Sequence, residues 1–127
     1  MRILGIDYGE KRVGLAISDE TETLARELSI IPRKTALVNI KSLISSHGIG
    51  KIVIGLPLNM SGEDSLKTKE VREFINLLYS QFNLPVLTQD ERLTTVMAHN
   101  SPGGKKQVDS LAAQILLQIY LDKQKVL

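Results

Sequence analysis

Apolar residues crowd the amino-terminal stretch from Ile3 to Ile6, stop at Asp7, and resume over Val13 to Ser18 after a polar connection. Short apolar runs bounded by glycine and charge read as buried strands, and the Gly-bearing five-residue connection between these two reads as a hairpin. Leu24 to Ile31 predicts a third strand, ending at Pro32, which cannot donate to a ladder and biases its predecessor to extended geometry. From Thr35 to His47 the pattern changes to a helical period, with Leu37, Ile40, Leu43 and Ile44 on one side and Gly48 as the stop. Ile52, Val53, Ile54 and Leu56, held between Gly50 and Pro57, form the unbroken run typical of a central parallel strand. Ser65 to Phe82 predicts the longest helix, with Val71, Phe74, Ile75, Leu78 and Phe82 inward and Lys67, Lys69, Glu70, Arg72 and Glu73 outward. Pro85 to Gln89 predicts a fifth strand, and Val108 to Lys123 a final helix with Leu111, Ala112, Ile115, Leu116 and Ile119 inward.

Three strands followed by helix, strand, helix, strand, helix predict one α/β domain over residues 1–127. Its sheet is mixed and five-stranded in the order 3-2-1-4-5, with strand 2 antiparallel. Right-handed crossovers set strand four beside strand one and cover both faces with helices. The strand ends then form one crevice, and Asp7 stands at it. An ionised carboxylate there is costly unless a cation or metal compensates; the blander alternative is that Asp7 caps the turn by accepting N–H bonds near Gly9.

Composition narrows the classes. A chain of 127 residues buries roughly two-thirds of its unfolded surface, enough to fold without disulfide or structural metal. The absence of cysteine excludes thiol catalysis and zinc–cysteine sites and suits a reducing cytoplasm. Neither a leader segment nor an apolar run approaching the eighteen or so residues of a membrane span is present, so the expectation is a soluble cytoplasmic protein with no membrane partner, a monomer or weak homodimer. A net charge of +2 and pI near 8.9 permit polyanion binding without supplying a dense basic footprint.

Two further acidic positions stand out. Asp109 opens the final helix on the line of Ala112, Ala113, Leu116 and Tyr120, so it faces the sheet; alternatively it is a favourable acid at a helix N-terminus. Asp90 and Glu91 follow the fifth strand directly, with Arg92 next, although adjacent acids there also suit a helix cap. Three acids brought from three segments to one crevice suit Mg²⁺ or Mn²⁺, which prefer carboxylate oxygens and water. Two such ions roughly 3.5–4 Å apart serve phosphodiester cleavage, which also needs cations for the phosphate; Lys11, Arg12 and Arg92 are at hand. His47 and His99 lack a partner at ligand spacing and are not expected to bind metal. Asn59, Ser61 and Gly62 suit a turn and helix cap at least as well as a phosphate contact. Tyr8 is the aromatic placed to stack on a base, the others lying on helical apolar stripes.

The segments IDYGEKRVGLAIS, IVIGLPLNMSG, DERLTT and VDSLAAQILLQIYL, in that order, resemble the YqgF (RuvX) family of ribonuclease H-like proteins over essentially the whole chain. The resemblance implies a metal-dependent nuclease using Mg²⁺ or Mn²⁺. Members are described as maturing the 5′ end of the small-subunit ribosomal RNA precursor, and were earlier suggested to resolve Holliday junctions. Carried over by residue, it implies Asp7, Glu91 and Asp109 as catalytic metal ligands with Asp90 beside them, and Gly9, Arg12 and Gly14 as turn glycine, turn cation and second-strand glycine. The segment MAHNSPGGKKQ is shorter than in most members, leaving Lys105 and Lys106 as the remnant of a phosphate-contacting loop. Structured RNA is thus the expected partner, held by Lys11, Arg12, Arg92, Lys105 and Lys106. The alternatives are branched DNA, a non-catalytic nucleic-acid-binding module, and one lobe of an actin-like ATPase, which would need a second lobe to close on nucleotide.

Overall fold

The structure, a computed structural model, describes residues 1–58, 61–90 and 108–125. Its elements are β1 (Arg2–Tyr8), β2 (Arg12–Ser18), β3 (Ala25–Pro32), a 3-10 turn (Arg33–Thr35), α1 (Ala36–His47), β4 (Ile49–Leu56), α2 (Leu66–Phe82), β5 (Val86–Asp90) and α3 (Val108–Lys125). The sheet runs β3-β2-β1-β4-β5. β2 is antiparallel to both β1 and β3, while β4 is parallel to both β1 and β5. This is the predicted topology.

Local details differ from expectation for physical reasons. The first hairpin has a three-residue connection, Gly9 to Lys11, because pairing persists through Tyr8 and Val13. The Gly9 N–H donates to the Arg12 carbonyl at 2.9 Å, and a Cβ on Gly9 would collide with that same oxygen, so the turn needs glycine. β4 begins three residues early, at Ile49, which is buried where α1 ends at left-handed Gly48 (φ 63°). α3, at 18 residues, is one longer than α2.

Strand alternation splits the core into two layers. Leu4, Ile6, Leu15, Ile52 and Ile54 pack under α1 and α2, and Ile3, Ala16 and Val53 pack under α3. The buried face of α3 is Ala112, Ala113, Leu116, Leu117 and Leu121, whereas Leu111, Ile115 and Ile119, predicted inward, are only half-buried. Small residues decide this: α3 lies so close at Gly5 that a Cβ there would come within 2.9 Å of the Leu117 Cβ. Ser65 and Thr68 form a reciprocal capping box that starts α2. The buried Thr68 hydroxyl also donates to the Pro57 carbonyl at 2.7 Å, tying the helix to the end of β4. Among the described residues no helix is long and apolar enough to cross a membrane.

Candidate active site

Asp7 is the penultimate residue of β1, half-buried, and lies opposite Gly14 of β2. Ile3 and Gly5 meet α3, so alternation directs Asp7 to the same face. Gly14 lies directly beneath the first turn of α3. A Cβ at that position would overlap the Asp109 carbonyl and come within 2.8 Å of the Ser110 nitrogen. The strand position across from Asp7 is therefore in contact with the backbone of Asp109. Two carboxylates far apart in sequence are brought to one end of one sheet face.

Arg12, the first residue of β2, reaches across this end and donates from Nε to Asp109 Oδ2 at 3.0 Å. The Asp109 side chain is 27% exposed and that of Arg12 67%, so the pair contributes little stability. It fixes an orientation and sets a cation beside the acid. α3 is seated by a row of polar side chains at four-residue spacing that the sequence reading passed over. The Ser110 hydroxyl donates to Glu27 Oε1 at 2.8 Å, and Gln114 Nε2 to the Ala25 carbonyl at 3.2 Å. Gln118 accepts from the Ala25 N–H at 2.8 Å and donates to the Thr23 carbonyl at 3.0 Å. The signal was present as Ser110, Gln114 and Gln118 at four-residue spacing on one flank of the helix.

Asp90 closes β5 in register with Leu56, whose side chain belongs to the α1 and α2 layer. Alternation therefore assigns Asp90 to the face opposite Asp7, and the nearly buried Gln89 to the same face as Asp7. That register counts against Asp90 as a ligand shared with Asp7 and Asp109. Glu91, Arg92, Lys105 and Lys106, with Asn59 and His99, lie outside the described residues. Lys11 is exposed at the tip of the hairpin. His47 sits at the far end of α1, its Nδ1 2.8 Å from the Ser46 hydroxyl.

Tyr8 does not serve as an open platform for a base, and this corrects the expectation. Phe74 stacks on its ring with centroids 4.1 Å apart, and the Arg33 guanidinium stands over it at 4.5 Å. Arg33 Nε also donates to the Tyr8 hydroxyl at 2.8 Å, Nη1 to the Glu10 carbonyl at 3.4 Å, and Nη1 pairs with Glu70 Oε2 at 3.5 Å. The Arg33 amide donates to the Lys11 carbonyl at 3.0 Å. One arginine thus braces the β1–β2 hairpin against α2. Sequence reasoning missed it because its partners come from three separate segments.

A family model described as "RuvX: Holliday junction resolvase" matches residues 1–123. The chain belongs to the RuvX family. A relative from Thermoanaerobacter pseudethanolicus, named "Putative pre-16S rRNA nuclease", is 41% identical over 137 aligned positions, covering 98% of this chain and 99% of that protein. One of the same name from Chloroflexus aggregans is 39% identical, covering 97% and 94%. The alignment with the first is longer than this RuvX chain itself, so that relative carries residues this one lacks. Among solved structures, Thermus thermophilus RuvC in complex with Holliday junction substrate superposes with a TM-score of 0.63 at 11% identity, over 98% of this chain and 96% of that one. The fowlpox virus resolvase with Holliday junction DNA gives 0.60 at 12%, over 98% and 99%. The ribonuclease H-like architecture is shared with these resolvases.

The donor chemistry of this RuvX site suits a hard divalent cation, since Asp7 and Asp109 offer carboxylate oxygens and the chain has no thiol to favour a softer metal. Among the described residues no group of three His, Cys, Asp or Glu is close enough to hold a metal. Two acids of the expected set share the crevice end, and the third, Glu91, belongs to the undescribed segment.

Proposed function

We propose that this protein is a metal-dependent endonuclease that hydrolyses phosphodiester bonds in structured RNA, and that its task is maturation of the 5′ end of the small-subunit ribosomal RNA precursor. The observation that carries the reading is the seating of the first turn of α3 on Gly14, which gathers Asp109, Arg12 and Asp7 at the end of β1. The names of the full-length relatives support the substrate. Asp7, Asp109 and Glu91 are the residues that would hold Mg²⁺ or Mn²⁺, with Asp90 left out by its register. Such an ion supplies activation of the attacking water and stabilisation of the leaving oxygen. Arg12, oriented by Asp109, presents the rest of its guanidinium to a phosphate oxygen. Lys11, at the exposed hairpin tip, meets the flanking phosphate, and Arg92, Lys105 and Lys106 add contacts from the segment before α3. The protein works in the cytoplasm as a monomer or weak homodimer.

The description attached to the family model favours a second substrate, branched DNA. The deciding experiment compares precursor ribosomal RNA, junction DNA and single-stranded RNA under Mg²⁺ and Mn²⁺, with wild type and Asp7→Asn. Site-specific cleavage of the precursor by wild type and its loss in Asp7→Asn are expected. Cleavage of junction DNA alone would replace the RNA assignment. Failure on every substrate would leave a binding module without catalysis, and full activity of Asp7→Asn would remove the site.

A further inference from the structure

On the sheet face opposite Asp7, a cleft of roughly 550 Å³ opens between α1 and α2, floored by the stacked Tyr8 and Phe74. Among the described residues, Arg33, Lys34 and Lys41 line it and no carboxylate does; the nearby Glu70 is paired with Arg33. The sequence shows the same bias, because no Asp or Glu occurs between Glu27 and Glu63. Its lips are apolar and open, with Val38 72% exposed and Leu77 45%. Cations along an open apolar trough match a strand whose backbone is anionic and whose bases and sugars are not.

The β1–β2 hairpin links the cleft to the Asp7 end of the sheet. Tyr8 follows Asp7 in β1, and Arg33 is bonded to both Glu10 and Lys11 of the hairpin between the two faces. A strand leaving Asp7 over the exposed Lys11 would run onto Lys34 and then, two helical turns on, Lys41. We propose that this cleft binds the single-stranded flank of the RNA substrate, Lys34 and Lys41 contacting successive phosphates while unstacked bases rest on Val38 and Leu77. With both faces of Tyr8 occupied, the contact is indifferent to sequence. The proposal rests on the nuclease reading and adds where the substrate goes after it leaves the reacting centre.

The test measures binding of a labelled RNA stem carrying a single-stranded flank, with divalent metal withheld so that it is not cut, across a salt series. Lys34→Ala with Lys41→Ala is compared with Lys123→Ala with Lys125→Ala, which removes equal charge at the opposite end of α3. The cleft variant is expected to bind several-fold more weakly at low salt. Its slope of log affinity against log salt should be shallower by on the order of 0.7 per lost contact. Both differences should vanish when the flank is trimmed away, and the α3 variant should keep the wild-type slope. An unchanged isotherm on the flanked RNA overturns the proposal, as it would if the cleft accepted an acidic peptide instead. Equal weakening by the α3 variant, or a deficit that persists without the flank, overturns it too. Wild-type protein that binds this RNA but does not cut it when metal is restored refutes the nuclease reading alone.

Discussion

At the scale of single residues, a hydrogen atom in place of a methyl group determines whether two carboxylates meet. Gly14→Ala would push a Cβ into the Asp109 carbonyl, and backbone cannot yield as a side-chain tip does. The expected cost is about 1–3 kcal/mol in denaturant unfolding. Mn²⁺ affinity measured by titration calorimetry should fall further than that of a core variant matched to it in measured stability and placed away from Asp7, such as Leu78→Ala in α2. Equal metal affinity in the two would separate Gly14 from the site. The acid pair after β5 yields a second outcome. Because Asp90 follows Leu56 onto the other face, Asp90→Asn should leave the Mn²⁺ isotherm close to wild type, whereas Glu91→Gln and Asp109→Asn should weaken it strongly. Reversal of that order would mean that β5 twists away from its register at its last residue. Asp7 and Asp109 were legible in the sequence as types at spacings, and Gly14 through the family resemblance. Arg33 was not, since nothing local marks an arginine whose partners lie on β1, the hairpin and α2.

At the scale of elements, the apolar pattern located every strand and helix among the described residues, because strands with one or two covered faces and amphipathic helices carry different periods. Boundaries moved where hydrogen bonding rather than apolarity fixed them. Tyr8 stays in β1 because it pairs with Val13, and Ile49 enters β4 at once after the left-handed Gly48. Of the two apolar lines read on α3, the one through Ala112, Ala113 and Leu116 is the buried one, and the one through Leu111, Ile115 and Ile119 is only half-buried. Counting large apolar residues favoured Leu111, Ile115 and Ile119, whereas the close approach at Gly5 and Gly14 selects the side bearing Ala112 and Ala113. The polar row on its other flank then holds the edge strand, with Gln118 bonded at both Ala25 and Thr23. Gln118→Ala leaves the Ala25 N–H without that acceptor, for which a cost of about 1–3 kcal/mol is usual when the group is buried; with the bond itself part-buried the lower end is expected. Amide exchange at Ala25 should accelerate well beyond that at Ile6. Exchange unchanged at Ala25 would show that water replaces the glutamine at no cost.

At the scale of the whole molecule, the strand order 3-2-1-4-5 followed from the succession of elements and the handedness of crossovers, which leave few arrangements open. The acid response of that whole was not legible, because it depends on a turn whose geometry only the fold supplies. Between β2 and β3, the Asp19 carboxylate accepts from the Thr23 N–H at 2.8 Å, the Thr21 hydroxyl at 2.7 Å and the Leu24 N–H at 3.1 Å. These bonds, the one from Thr23 foremost, lower its pKa from 3.8 to about 2. A carboxyl depressed in the folded state contributes stability that is fully present above its unfolded pKa and is lost as pH falls through the folded value. The window for this turn therefore runs from about pH 4 down to about pH 2. Asp19→Asn keeps an oxygen acceptor in place but removes the titration. Wild type should be the more stable at pH 7, and its advantage in urea midpoint should shrink through that window and vanish near its foot. An advantage that stays constant down to pH 2 would mean the turn is held by shape alone, and that acid lability arises at other carboxylates such as Asp64, which Arg72 holds in its charged form through paired bonds of 2.9 and 3.1 Å.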